Sequence, residues 1–327
     1  MKHYLRVLNL AILGSTVFMG CLTHHAWATP TDEMVRELNA QVLRVQVKHN
    51  NGSDGLGSAV VIAKDQVVTN CHVVTDARDV KVVANGVAHE ATSVKPDWHH
   101  DLCILTVADL EAPVAKMHAT KSLKYETAVF TVGYPGETTV PVNTYGVVKA
   151  MFPMDGSMVI RASSPFKLGA SGGGVFDETG SLVGIITLKS RGSEAQYFYM
   201  PVEWVQSLMD KPAQALGVES KKPFWAASEK ERPYFMQVVQ PYVSKNWKSL
   251  LAVSQAWVKS EPEVAESWFH LAAAEYETQA YEQAKDHFKK VLSLNAEHPQ
   301  AIAYLNKITE RTARADVALN QVAMLTQ

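Results

Sequence analysis

The sequence lacks an excess of charge of either sign, and it lacks long apolar runs outside its N-terminal end. Lysine plus arginine number 31 against 33 acidic residues, so the net charge of −2 gives no reason to expect a nucleic-acid partner. The single apolar stretch excludes a polytopic membrane protein. With 47% hydrophobic and 20% charged residues over 327 positions, the chain is neither disordered nor collagen-like, and its length predicts two domains.

The N-terminal end has the layout of a secretion signal over residues 1–28. Lys2 and Arg6 provide a positively charged start. Residues 8–20 form an apolar segment that is too short and too interrupted by glycine for a good membrane-spanning helix. Residues 26–28, Ala-Trp-Ala, place small side chains at the cleavage spacing, so we expect cleavage after position 28.

Export would place the rest of the chain in an oxidising compartment, and we expect a periplasmic or secreted protein without membrane association after cleavage. Two alternatives stay open. Lipid attachment at Cys21 is disfavoured because bacterial lipoprotein signals prefer a leucine and a small residue where Phe18 and Met19 stand. An uncleaved membrane anchor is the other alternative.

The region from Val42 to Met200 is a succession of short β-branched runs broken by Gly, Asn, Asp and Pro. No helix-length amphipathic segment separates these runs, so the pattern predicts an all-β barrel or sandwich rather than βαβ units. Two small barrels fit the length. Residues 202–210 are predicted to form a closing helix. Residues 211–230 are interpreted as a linker with little pattern of its own, because they carry Pro212, Gly217, Pro223 and several charges.

The composition changes after Arg232 to helix-forming residues with a period of about 34 residues. Residues 265–298 resemble one tetratricopeptide repeat, in which the matching packing positions are Trp268, Leu271, Ala272, Tyr281, Ala284, Phe288 and Leu294. Glu275 and Ala296 depart from that pattern. We therefore expect tetratricopeptide-like helical repeats over residues 231–327. They would either form a concave peptide-binding surface or only pack on the barrel, and the sequence favours neither.

Three short segments of the β half carry the residue types of nucleophilic catalysis. They are residues 69–74 (TNCHVV), 100–105 (HDLCIL) and 169–174 (GASGGG). A serine hydroxyl needs a base within hydrogen-bond reach, and the imidazole in turn needs a carboxylate that orients it and stabilises its charged form. Glycines around the serine let backbone amides point at a developing oxyanion. Each segment is weak evidence alone, but together they predict one catalytic site.

The order His, Asp, Ser, together with G-x-S-G-G, TNxHVV and HDLxxL, resembles the chymotrypsin-fold serine peptidases, the bacterial HtrA-type branch most of all. The resemblance implies a double six-stranded β-barrel, an all-β peptidase domain over residues 29–210, followed by the all-α helical repeat domain. It implies that His72 is the general base, Asp101 its orienting partner and Ser171 the nucleophile. HtrA-type proteins usually carry a PDZ domain where this chain has helical repeats, so their assembly and regulation are not carried over.

The same resemblance implies the substrate site. The amides of Gly169 and Ser171 would form the oxyanion hole, and Thr187 lies on the strand that pairs with substrate backbone. The expected substrate-binding residues are Phe166, Leu168, Thr187, Leu188, Lys189 and Tyr199. No aspartate occurs in residues 164–166, which argues against a preference for Lys or Arg and favours a shallow apolar pocket for aliphatic side chains. No cofactor is expected.

Two cysteines remain once the signal is removed, Cys71 beside the proposed base and Cys103 beside the proposed aspartate. In the fold that the sequence resembles, these segments lie against each other, which implies a disulfide; two buried free thiols are the alternative. With His72, His99 and His100 these cysteines also supply the ligand types of zinc. We expect no metal site, because adjacent residues on a strand point to opposite faces.

The sequence therefore predicts an exported serine endopeptidase that acts on protein or peptide substrates. The helical repeats would bind the substrate or a partner protein. A binding or scaffold protein with a catalytically silent barrel is the alternative from a different class, and a zinc hydrolase is the third reading.

Overall fold

The computed structural model describes residues 30–191, 195–217 and 221–325. The predicted signal at 1–28 and the lipidation alternative at Cys21 lie outside these residues. Within the described ranges, every helix is too short or too polar to cross a bilayer.

Six strands form a first closed antiparallel barrel: β1 (Val42–His49), β2 (Asp54–Ala63), β3 (Gln66–Thr69), β4 (Ala77–Ala84), β5 (Val87–Asp97) and β6 (Leu102–Val107). The barrel closes because β1 pairs with both β2 and β4. Along β1, Val45 and Val47 are buried, whereas Gln46 and Lys48 are partly exposed. This alternation is expected of a strand that turns one face to the core. Helix α1 (Asp32–Gln41) precedes this barrel, and the short helix α2 (Cys71–Val74) follows β3.

Six further strands form a second closed barrel: β7 (Ala128–Gly133), β8 (Val142–Met154), β9 (Ser157–Ala162), β10 (Gly174–Asp177), β11 (Leu182–Lys189) and β12 (Tyr197–Pro201). Their order around the barrel is β10-β11-β12-β9-β8-β7. The predicted double six-stranded barrel is thus confirmed. Helix α3 (Val202–Met209) follows β12 directly, where a closing helix was expected.

The C-terminal part is helical, as predicted. A 3-10 turn (Phe224–Ala226) lies in the linker, and the helices that follow are α4 (Tyr234–Gln237), α5 (Val239–Val243), α6 (Trp247–Ser260), α7 (Ala265–Glu277), α8 (Tyr281–Leu294) and α9 (Pro299–Leu325). Helix α4 starts directly after Pro233, and it ends at Gln237 because Pro241, four residues later, has no N–H to bond the Gln237 carbonyl. Two short helices therefore stand where one longer helix would otherwise form. From α6 onward each helix packs against the next. The assignment of these helices to tetratricopeptide repeats stays a prediction.

An aromatic cluster joins the helical part to the second barrel. Phe152 of β8 stacks on Phe235 of α4 with ring centroids 4.6 Å apart, and Trp257 of α6 lies 6.3 Å from the same phenylalanine. All three side chains are buried, and one continuous hydrophobic core runs from the barrel through the linker to α6. Because burial of large aromatic side chains stabilises a fold strongly, the helical part packs on the barrel instead of extending from it.

A buried carboxylate completes this contact. Glu266, in the first turn of α7, accepts hydrogen bonds from the Tyr125 hydroxyl of the barrel and from His298 Nε2, the latter at 3.1 Å. Burial alone would raise the pKa of Glu266, but the hydrogen bond and charge of His298 and the charge of Arg161 outweigh it and lower the pKa to about 2. His270 Nδ1 bonds the Glu266 carbonyl at 2.8 Å, and burial lowers the pKa of His270 to about 4.

This cluster predicts that acid weakens the fold. The pKa of His270 lies below its usual 6.5, so the unfolded chain binds a proton that the folded chain does not. The free energy of unfolding should therefore decrease by about 3 kcal/mol as the pH falls from 6.5 to 4, and further toward pH 2 as Glu266 protonates. Denaturant unfolding across this range measures the effect. In His270→Gln, the decrease in the free energy of unfolding between pH 6.5 and 4 should be much smaller. An equally large decrease in the variant would contradict the assignment of this pH dependence to His270.

Candidate active site

The pairing of two strands brings the proposed base and its carboxylate together. His72 lies in α2, directly after β3, and Asp101 lies in the turn before β6. Strands β3 and β6 are neighbours, with Thr69 opposite Cys103. Two segments that are separated by about thirty residues of chain therefore end side by side.

Asp101 holds His72 through both of its carboxylate oxygens. The His72 backbone N–H donates to Oδ1 at 2.8 Å, and His72 Nδ1 lies 2.6 Å from Oδ2. The Asp101 side chain is 1% exposed, whereas that of His72 is 35% exposed. Since Nδ1 faces a carboxylate, we assign the proton of the neutral imidazole to Nδ1, which leaves Nε2 as the proton acceptor. The arrangement is that of an oriented general base open to solvent.

Asn70 fixes the backbone of Asp101. The Asn70 side-chain amide donates to the Asp101 carbonyl at 2.9 Å and to Thr187 Oγ1 at 2.9 Å. Asp101 has φ of +60°, a left-handed conformation that costs energy for a residue other than glycine and persists only where its surroundings hold it. Asn70 belongs to the TNxHVV motif, and its positioning role becomes visible only in the structure.

The linker supplies a further contact that the sequence analysis missed. Trp225 Nε1 donates to Asp101 Oδ2 at 3.2 Å, and its ring meets the His72 ring edge-on at a centroid distance of 5.7 Å. The neighbouring Phe224 is buried in the core that joins barrel and helices. The interpretation of residues 211–230 as a segment without pattern of its own was thus incomplete. The adjacent aromatic residues Phe224 and Trp225 in a polar stretch were the available signal.

Ser58 of the first barrel holds the loop of Ser171. The Ser58 backbone N–H donates to the Ser171 carbonyl at 2.8 Å, and Thr69 Oγ1 donates to the Ser58 carbonyl at 2.7 Å. Gly172 has φ of +87°, and a Cβ there would lie 2.0 Å from the Ser58 oxygen, so only glycine fits. The proposed nucleophile is thereby tied to the strand that leads to His72. In the described part of the chain, no hydrogen bond joins the Ser171 hydroxyl to the His72 ring.

The two proposed oxyanion-hole amides have no acceptor within the described ranges. The N–H groups of Gly169 and Ser171 donate to no protein atom there, while the amides of Ala170, Gly172 and Gly173 all do. Ser58 Oγ donates to the Gly169 carbonyl at 3.0 Å, which fixes the Gly169–Ala170 peptide that lies between the two donors. Two preorganised donors beside a serine are the arrangement that stabilises an acyl-transfer oxyanion.

A cavity of about 820 Å³ lies beside this loop in the second barrel. Its wall includes Phe166, Leu168, Ala170, Ile186, Lys189 and Tyr197. Three of the expected substrate-binding residues, Phe166, Leu168 and Lys189, thus face one open space. Their role in binding stays a prediction.

The other three expected substrate-binding residues lie elsewhere. Tyr199 is 0% exposed, and its hydroxyl donates to the Ser164 carbonyl at 2.5 Å, so its expected place in the pocket wall was wrong. Its ring supports Phe166 at a centroid distance of 5.8 Å. The Thr187 side chain is buried against Asn70. Leu188 lines a second cleft, of about 680 Å³, together with Trp225 and residues of α4 and α5.

A disulfide joins Cys71 and Cys103, as the resemblance implied, with Cα atoms 4.9 Å apart. This separation lies within the usual range for disulfides. The bridge connects the helix that carries His72 to the strand that follows Asp101. It also removes both sulfur atoms from the set of possible zinc ligands.

Residues 57–185 match the family model of the trypsin-like peptidase domain, a range that includes His72, Asp101 and Ser171. This part of the chain is therefore similar to the trypsin-like peptidase domain. Within it the proposed base and its aspartate come from the first barrel and the proposed nucleophile from the second.

Curated relatives resemble the peptidase domain. A probable periplasmic serine endoprotease DegP-like of Pseudomonas fluorescens is 29% identical over 160 residues, 46% of this chain and 33% of the relative. Serine protease Rv3671c of Mycobacterium tuberculosis is 31% identical over 140 residues, 40% of this chain and 35% of the relative. The chain thus spans about a third of the length of these relatives.

Two solved structures share the fold of the peptidase domain. The active form of the M. tuberculosis Rv3671c protease matches with a TM-score of 0.53 and 23% identity, covering 57% of this chain and 88% of that one. The HtrA-type protease AlgW with a tripeptide matches with a TM-score of 0.50 and 24% identity, covering 55% of this chain and 62% of that one. Both matches show the chymotrypsin-like double barrel.

Removal of the disulfide should destabilise the peptidase domain. In the chain-entropy account, a bridge across a loop of about thirty residues contributes about 3 to 4 kcal/mol. The double variant Cys71→Ala/Cys103→Ala should lower the free energy of unfolding by that order, measured by denaturant titration under non-reducing conditions. Wild type under reducing conditions is the matched control and should approach the variant. Equal stability of variant and oxidised wild type would contradict a structural role.

Proposed function

We propose that this chain is an exported serine endopeptidase. One observation carries the proposal: in a trypsin-like domain, a buried aspartate orients a partly exposed imidazole through Nδ1 and leaves Nε2 available as a base. The names of the relatives, which are serine proteases, support it.

The proposed reaction is acyl transfer. Ser171 Oγ attacks the peptide carbonyl while His72 Nε2 accepts its proton, and Asp101 stabilises the resulting imidazolium. The amides of Gly169 and Ser171 bind the oxyanion, each contributing on the order of 3 kcal/mol. His72 then donates the proton to the leaving amine. Water repeats the sequence on the acyl-enzyme and releases the second product.

The proposed substrates are proteins or peptides with aliphatic side chains at the cleavage site. Among the described residues that line the cavity beside Ser171, most are apolar and none is a carboxylate that would select Lys or Arg. The tripeptide in the AlgW structure supports peptide as the substrate class. For the helical part, we propose that it packs on the barrel and holds the linker so that Trp225 reaches Asp101. Binding of a substrate or partner by the helices stays a prediction.

Two observations support export to the periplasm or beyond. Disulfides such as Cys71–Cys103 persist in oxidising compartments. The DegP-like relative is named periplasmic.

One observation leaves the alternative of a catalytically silent scaffold open: in the described residues, no hydrogen bond joins the Ser171 hydroxyl to the His72 ring. In unliganded peptidases this contact is often long and tightens when substrate binds, so the geometry is compatible with both functions. Chemical labelling separates them.

The peptidase function predicts covalent labelling at one serine. A fluorophosphonate probe should label the wild-type protein, and Ser171→Ala should abolish the signal because the nucleophile is gone. Ser122→Ala, which removes a hydroxyl from the surface of the same domain, should label like wild type. In-gel fluorescence and a peptide-cleavage assay measure the outcome. A wild type that neither reacts nor cleaves peptides would support the scaffold.

The hydrogen bond from Trp225 to Asp101 predicts that the linker affects the rate of catalysis. Trp225→Phe keeps an aromatic ring beside His72 but removes the N–H that bonds Asp101. We expect kcat to fall about tenfold, since one hydrogen bond to a charged group contributes about 1.4 kcal/mol or more, with a smaller change in KM. The pH profile of kcat/KM should change as well, since the electrostatics of the His–Asp pair change. Trp247→Phe, in α6, is the matched control. A Trp225→Phe variant with wild-type kcat would contradict the role.

A further inference from the structure

A cluster of histidine and aspartate side chains lies beside the turn that carries Asp101, outside the catalytic site. His100 Nε2 lies 3.0 Å from Asp155 Oδ2, and His99 Nε2 lies 3.2 Å from the same oxygen. The three ligand-type atoms all lie within 4.8 Å of one another. The histidines belong to the first barrel and Asp155 to the hairpin between β8 and β9 of the second, so the cluster connects the two barrels.

The reason for expecting no metal here was wrong. His99 and His100 do not lie on a strand, where neighbours point to opposite faces. They lie in the turn between β5 and β6. The chain reverses there, and the two rings come within a centroid distance of 4.8 Å. Both Nε2 atoms consequently face Asp155.

The surroundings fix His100 in the orientation of a metal ligand. Its Nδ1 lies 2.6 Å from Asp97 Oδ2, so the neutral ring carries its proton on Nδ1 and directs the Nε2 lone pair toward Asp155. Histidine ligands in metal sites almost always donate their other ring N–H to such a carboxylate. Trp204 stacks on the His100 ring at 3.8 Å, and its own N–H donates to the Asp155 carbonyl at 3.3 Å.

The distances from Asp155 to the two histidines suit a tetrahedral ion. Zinc bonds of about 2.1 Å at tetrahedral angles place neighbouring ligand atoms about 3.4 Å apart, close to the 3.0 and 3.2 Å from Asp155 Oδ2 to the two Nε2 atoms. Two nitrogens and one carboxylate oxygen are a donor set that zinc accepts. The cleft around them has a volume of about 570 Å³ and is also lined by Lys211 and Lys221.

We propose that His99, His100 and Asp155 bind a zinc ion that bridges the two barrels, with water at the fourth position. Asp97 acts through His100 by holding its tautomer. The proposal does not depend on the peptidase function, because the binding measurement requires no activity.

Isothermal titration of the metal-free wild-type protein with zinc chloride tests the proposal. One site is expected, and His99→Ala should weaken it at least tenfold. This variant is suited to the test because the His99 side chain is 58% exposed and its loss leaves the core intact. Asp97→Asn should weaken binding about 10- to 100-fold, the usual effect of losing a carboxylate partner of a ligand. Saturating zinc should also raise the Tm of wild type more than that of His99→Ala.

Two controls decide where the metal binds. His118→Ala removes a surface histidine that pairs with Asp177 alone, at 2.8 Å, and it should bind zinc like wild type. His72→Ala should also retain the site. Zinc binding that survives in His99→Ala but disappears in His72→Ala would place the ion at the catalytic pair and overturn the proposal. Failure of wild type to bind zinc would overturn it as well and leave a hydrogen-bonded cluster.

Discussion

The buried negative charge of Asp101 is the constraint on which the active site depends. A carboxylate removed from water is costly unless charged or polar donors surround it. Here three donors from two parts of the chain surround it: the backbone N–H and the ring of His72, and the indole N–H of Trp225. Each of these contacts compensates the charge and at the same time orients the imidazole. Stability and the geometry of the base therefore rest on the same set of hydrogen bonds.

This dependence connects the helical part of the chain to the chemistry. Trp225 can donate to Asp101 only while the linker lies against the barrel. The linker is held there by Phe224 and by the stacking of Phe152 on Phe235. On the far side of the same contact, Glu266 accepts hydrogen bonds from both barrel and helices. A change in the packing of the helices can thus alter the hydrogen bond to Asp101, because the linker segment with Phe224 and Trp225 contacts both.

Further contacts at the boundary between the two barrels fix their relative position. Ser58 from the first barrel binds the loop of Ser171 in the second through backbone and side chain. At another point, His99 and His100 meet Asp155 across the same boundary. Because the proposed nucleophile and the proposed base lie on different barrels, contacts that fix one barrel on the other also fix the distance between these two side chains.

The sequence by itself determined the architecture of the barrels and the residues of the candidate site. Short β-branched runs broken by Gly, Asn, Asp and Pro indicated the barrels, since the preference for strand or turn is a local property of the chain. The residues 69–74, 100–105 and 169–174 carried the residue types of a catalytic triad, and the pairing of Cys71 with Cys103 followed from the family resemblance. The tertiary structure decided which side chains face the cavity, with Phe166 exposed to it and Tyr199 buried behind it. It also decided that Trp225 reaches Asp101 and that His99 and His100 turn toward one oxygen. These contacts depend on strand register, on a chain reversal and on packing between residues more than fifty positions apart, and local sequence patterns do not encode such distances.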